Sequence, residues 1–134
     1  HLFLNGIGNI EYNISFPSDI RSLHLQSFEN NLFKSELWTK QIMTEKKFLF
    51  IEYLSLFKCH FDIKQMQLFS LQNCPNISIM ELIETTWKGI FYLPSTLKSI
   101  RWKSIRGRLS FRDVMTDNLI EACIPTLSKS IFNC

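Results

Sequence analysis

Alanine and valine are almost missing from this chain: Ala122 and Val114 are the only ones in 134 residues. The apolar share, 46% of the residues, therefore falls mainly to Leu, Ile and Phe. A core built from them has long side chains, and helices have few of their best formers. No uninterrupted apolar run approaches the roughly 20 residues of a membrane span. The four cysteines, Cys59, Cys74, Cys123 and Cys134, are too few for a disulfide scaffold at this length, and none stands in a C-x-x-C. Zinc ribbons and dithiol redox motifs are thereby excluded. No G-K-[ST], G-x-S-x-G or H-E-x-x-H occurs. Gly6-Ile7-Gly8 lacks the third glycine and the following acid of a dinucleotide loop and reads as a turn. His1, His24 and His60 are scattered, so no metal site is expected. Cys59 and His60 are neighbours, but successive strand residues face opposite sides, and Cys59 is expected to pack as a small hydrophobe. No catalytic residue, metal or cofactor is assigned, and the chain is read as a non-enzyme.

What is present suits one domain, spanning 1–134, and the first residue, His1, suggests a piece of a longer protein. The net charge is only +3, yet residues 97–112 carry Lys98, Arg101, Lys103, Arg106, Arg108 and Arg112 with no acid among them. The rest of the chain is net acidic. Such a block is ordinarily solvated surface; its functional alternative is an acidic partner or nucleic acid. Asn13-Ile-Ser15 and Asn76-Ile-Ser78 match the glycosylation acceptor, a match expected by chance in a chain rich in Asn and Ser.

One spacing returns along the sequence. It runs Ile20-x-x-Leu23-x-Leu25-x-x-Phe28, then Ile51-x-x-Leu54-x-Leu56-x-x-Cys59, then Met66-x-x-Phe69-x-Leu71-x-x-Cys74, then Leu97-x-x-Ile100-x-Trp102-x-x-Ile105. Ile7-x-x-Ile10-x-Tyr12 is a degenerate earlier copy. Residues two apart on a strand, such as Leu54 and Leu56, point to one face, and adjacent units bury that face jointly. The copies begin 31, 15 and 31 residues apart, which is irregular. The pattern resembles the leucine-rich-repeat family, in the cysteine-containing form found in F-box ubiquitin-ligase substrate receptors. That resemblance implies an α/β fold: a short solenoid arc with parallel strands on the concave face and helices on the convex face. An ordinary α+β domain is the alternative.

Three helices are expected between the copies. Ser78 and Glu81 have capping-box spacing, and Ile79, Leu82, Ile83 and Trp87 follow at helical intervals up to Gly89. A second covers Leu32 to Lys47, with Phe33, Leu37 and Ile42 near one face. A third starts at Asp113, with Met115, Leu119 and Cys123 inward.

On such a sheet the residues between core positions face outward. They are His24, Gln26, Ser55, Phe57, Ser70, Gln72, Arg101 and Lys103, the expected partner-binding set. Phe57 either anchors a partner or is covered by neighbouring chain. Trp102 falls at a core position. The expected partner is another protein on the concave face, with an acidic surface or nucleic acid at Lys98 to Arg112, and no membrane. The resemblance implies a non-catalytic recognition arm of an intracellular F-box-type ligase, nuclear or cytoplasmic and part of a larger complex. Two other readings stay open. A nucleic-acid-binding module would use residues 98–112 and lose affinity as salt rises. A fragment of an extracellular receptor would carry disulfides and glycans.

Overall fold

The computed structural model describes residues 1–6, 15–29 and 36–114, and the backbone of 121–123. Six parallel strands lie side by side in chain order: β1 (Leu2–Asn5), β2 (Ser22–Gln26), β3 (Tyr53–Phe57), β4 (Ile79–Ile83), β6 (Ser99–Lys103) and β8 (Glu121–Cys123). Two more, β5 (Thr86–Tyr92) and β7 (Arg106–Ser110), pair with each other in a second parallel sheet. The register explains why these segments are strands. Leu4, Leu25, Leu56, Leu82 and Trp102 stand opposite one another in one row, and Leu23, Leu54, Met80 and Ile100 in the next. All nine are buried. Alternation puts every second side chain on the core face, and parallel pairing stacks those positions into continuous apolar rows.

The corners repeat as well. Ser27, Lys58, Glu84 and Ser104, each directly after a strand, have φ of 61°, 54°, 47° and 54°. The N–H groups of Ser27, Lys58 and Glu84 donate to the last carbonyl of the next strand, those of Phe57, Ile83 and Lys103, at 2.9, 3.0 and 2.8 Å. At the other end, each of the Arg21, Glu52 and Ser78 carbonyls accepts two N–H groups from the start of the following strand. Left-handed backbone is costly for these residue types, and the ladder bonds hold it.

Behind the sheet, α1 (Glu36–Thr39) runs on as a π turn, Lys40–Thr44, and α2 (Ile63–Met66) runs on as a 3-10 turn, Gln67–Phe69. Asp62 starts α2 with a reciprocal cap: its carboxylate accepts the Gln65 N–H, and the Gln65 side chain accepts the Asp62 N–H, both at 2.8 Å. Aromatic rings fill the space between. Phe16 meets Trp38 edge-on with centroids 4.5 Å apart and Phe48 at 5.1 Å, while Phe48 stacks on Phe69 at 6.1 Å. The buried Gln41 accepts the Phe16 N–H at 2.6 Å, so no amide is orphaned there.

The repeat-solenoid expectation is corrected. Its third copy, led by Met66, is not a strand: Met66 closes α2, and Phe69 lies in the 3-10 turn with Leu71 beyond it. The helix expected from Ser78 to Gly89 is instead β4 and most of β5. Among the described residues the helical layer is two short helices rather than one helix behind each strand, and β5 and β7 form a second sheet. The protein is thus a small α/β domain with two parallel sheets, the larger one open, and not a curved leucine-rich-repeat solenoid. The ubiquitin-ligase recognition arm rested on that solenoid and falls with it.

Smaller expectations divide similarly. Between Leu32 and Lys47 the described part is helical from Glu36 to Thr44, but Trp38 and Ile42 face inward while Leu37 is exposed. Residues 121–123 are strand where a helix was expected to carry Cys123. The degenerate copy at Ile7, together with Phe33, Met115 and Leu119, lies outside the described residues.

Candidate functional site

The outward face of the large sheet carries three rows of side chains. The middle row, from β1 to β6, is Phe3, His24, Ser55, Glu81 and Arg101. Flanking it are Ser22, Tyr53, Ile79 and Ser99 on one side and Asn5, Gln26, Phe57, Ile83 and Lys103 on the other. His24 is the hub of a ring cluster, 5.0 Å from both His1 and Tyr53 and 6.2 Å from Phe3. Tyr53 is hydrogen-bonded to Glu81. Burial first, and then that bond and the carboxylate charge, push its phenol up to about 12. Arg101 stands opposite Glu81 and works against that rise.

Six of the eight expected partner-binding residues share this face: His24, Gln26, Ser55, Phe57, Arg101 and Lys103. Ser70 and Gln72 do not. They follow the 3-10 turn and line a hollow with Met43, Leu68 and Tyr92. Glu81 and Ile83 complete the face between β3 and β6, and the sequence reading missed them because it made β4 a helix. Phe57 is half-buried, with the Lys58 ammonium 5.2 Å from its ring centroid.

The basic segment is divided between the two sheets. Lys98, Arg101 and Lys103 lie in or beside β6, whereas Arg106 and Arg108 belong to β7; with Arg112, all six are exposed. On the small sheet, Thr86 pairs with Arg106, Ile90 with Arg108 and Tyr92 with Ser110, around a bulge between Thr86 and Ile90. Gly89, inside it, takes φ +100°. Gly107 is required, since a Cβ there would sit inside the Trp87 indole, whose Nε1 donates to the Arg108 carbonyl at 3.2 Å. Ile90 and Tyr92 remain exposed among the cations, and the Arg112 guanidinium lies 4.2 Å over the Tyr92 ring while pairing with Asp113 at 3.2 Å.

The two described thiols, Cys59 and Cys74, are structural. Cys59 is buried, its Sγ 3.4 Å from the Leu25 carbonyl, and Cys74 is buried 3.8 Å from the Leu68 carbonyl. Burial pushes them up to about 11 and about 12, so neither is a thiolate near neutrality. Among the described residues no three His, Cys, Asp or Glu side chains gather to hold a metal. Nor, among those residues, is any helix long and apolar enough to cross a membrane. The Asn76 side-chain nitrogen, which a glycan would need, donates to the Leu49 carbonyl at 2.7 Å. Compared with known protein families, curated proteins and solved structures, the chain matches none.

Proposed function

We propose that this domain binds an acidic polypeptide along the cationic strip of chain from Lys98 to Arg112, which runs through β6 and β7, and that its role is binding rather than catalysis. The observation that carries this reading is the exposure of all six cations of the acid-free segment 98–112, together with Ile90 and Tyr92 on the strand that pairs with β7. Exposed charge steers an oppositely charged partner, and an aromatic beside arginine is the usual composition of an energetic centre. A nucleic acid is the weaker fit. Single strands are held by stacking bases on aromatic faces, and the exposed tyrosine on β5 already carries Arg112 over one face. Buried thiols at Cys59 and Cys74 favour a reducing, intracellular setting, nuclear or cytoplasmic.

The test is fluorescence anisotropy with a labelled poly-glutamate peptide and a DNA duplex across a salt series. The peptide is expected to bind, more weakly as salt rises, and to lose about tenfold or more when Lys103→Glu and Arg108→Glu are combined. Tighter binding of the duplex than of the peptide would reassign the strip to nucleic acid. Binding of neither at low salt would end this reading.

A further inference from the structure

Register sets three hydrogen-bonding side chains in one row that ends on β7. His60 pairs with Thr86 as an isolated parallel bridge, and Thr86 is the partner of Arg106. Imidazole, hydroxyl and guanidinium therefore stand side by side, with about 4.8 Å between adjacent segments. The first two are already joined, His60 Nδ1 lying 2.7 Å from Thr86 Oγ1. Lys88, further along β5, brings an ammonium to the same hollow, a cavity of about 600 Å³ that Trp87 also lines. Lys88 and Arg106 are exposed, and neither has an ion pair among the described residues. The one acid in the lining, Asp62, accepts the Gln65 N–H with one carboxylate oxygen at the start of α2 and is outnumbered by the two cations.

We propose that this hollow binds a phosphate monoester: the phosphoryl group of a phosphorylated side chain on the acidic partner. The polypeptide source rests on the reading of the strip above; the pocket chemistry does not. A guanidinium offers a two-pronged donor that matches two phosphoryl oxygens, and an ammonium on another side serves the third as a point charge. The His60–Thr86 pair supplies at least one further donor, since their mutual hydrogen bond uses one donor of the pair. The volume exceeds what a bare phosphate fills and leaves room for the carbon portion of the ester.

Phenyl phosphate and inorganic phosphate are titrated into the isotope-labelled whole chain and followed by NMR. Saturable shifts at Thr86, Lys88 and the Trp87 indole N–H are expected with phenyl phosphate, and affinity about tenfold lower in the Lys88→Ala, Arg106→Ala double variant. That variant removes only exposed side chains, and an unchanged spectrum verifies its fold. Arg108→Ala, outside the hollow, is expected to weaken the poly-glutamate peptide and leave phenyl phosphate binding as it was. Equal losses of phenyl phosphate binding in both variants, or shifts spread over every cation, overturn the pocket. Tighter binding of inorganic phosphate than of phenyl phosphate overturns the side-chain source. Phenyl phosphate binding without peptide binding removes the strip and leaves the pocket, and the reverse result removes the pocket and leaves the strip.

Discussion

The buried Thr85 hydroxyl lies 3.2 Å from the Leu56 carbonyl, across from its own strand, and 2.9 Å from the Ile83 carbonyl behind it. Cys59 does the same one strand earlier, with its thiol 3.4 Å from the Leu25 carbonyl and 3.5 Å from that of Phe57. Both residues satisfy main-chain acceptors where the chain leaves the sheet, and Thr85 Oγ1 also accepts the Cys59 N–H at 3.5 Å. Thr85→Val keeps the shape and removes these bonds; the Ile83 carbonyl keeps the Lys58 N–H, but the buried Cys59 N–H loses its acceptor. The expected cost is about 1–3 kcal/mol in urea unfolding, with Thr85→Ser nearer the parent. Equal stability of the valine variant and the parent would show that the corner is held by packing alone.

The left-handed corner at Glu84 gives a second expectation. Its φ is 47°, and its N–H is committed to the Lys103 carbonyl at 2.8 Å, so the corner cannot relax without losing a ladder bond. A β-branched residue is a poor fit there. Glu84→Ile should lower stability by about 1–2 kcal/mol, whereas Glu84→Gly should match the parent or exceed it. Thermal melts of the three chains decide it; isoleucine and glycine variants of equal stability would remove the conformational argument.

Three strands were legible because their alternation is local. Leu23 and Leu25, Leu54 and Leu56, and Ile100 and Trp102 mark β2, β3 and β6 directly, and with them six residues of the outward face. β4 was not, because Ile79, Leu82 and Ile83 fit a helical period as well as Met80 and Leu82 fit a strand. What decides the matter is non-local: Met80 and Leu82 fall between Leu54 and Leu56 on one side and Ile100 and Trp102 on the other. Ser78 and Glu81 share the spacing of a cap without making one, since the Ser78 hydroxyl donates to the Glu52 carbonyl instead. The actual cap is at Asp62 and Gln65, whose D-x-x-Q spacing was a readable signal. It turns Met66 and Phe69, three apart, inward from a helical turn. The small sheet had no comparable signal, since the alternation of β5 is broken by the bulge and β7 is mostly exposed.

The buried thiols set an alkaline limit on stability. Cys59 and Cys74 stand at about 11 and about 12 in the fold against an ordinary 9.0, so the folded state keeps protons that the unfolded state gives up. Their contribution is full below pH 9 and is lost as pH climbs from there through 11 and 12, each thiol removing about 1.4 kcal/mol per pH unit once its unfolded form is ionised. Stability in urea should hardly change from these groups between pH 7 and 8 and should fall steeply above 9. Cys59→Ser and Cys74→Ala flatten the fall. In the native protein both thiols should resist alkylation and react on unfolding; rapid native labelling of either at pH 8 would contradict the burial argument.

Tyr53 tests whether the outward face is an organised surface. Its phenol stands at about 12, raised first by burial and then by the hydrogen bond and charge of Glu81. Glu81→Ala removes the second and third causes and leaves the first. The midpoint should therefore fall below 12 yet stay above the ordinary 10.0, read by NMR of ring-labelled tyrosine with Tyr12 and Tyr92 replaced by Phe. Arg101→Ala should move it the other way, because that guanidinium favours the phenolate. Opposite displacements from two residues on different strands would mean that Tyr53, Glu81 and Arg101 form one electrostatic unit across β3, β4 and β6. No movement in either variant would mean that burial alone holds the proton, and that these side chains share a face without acting on one another.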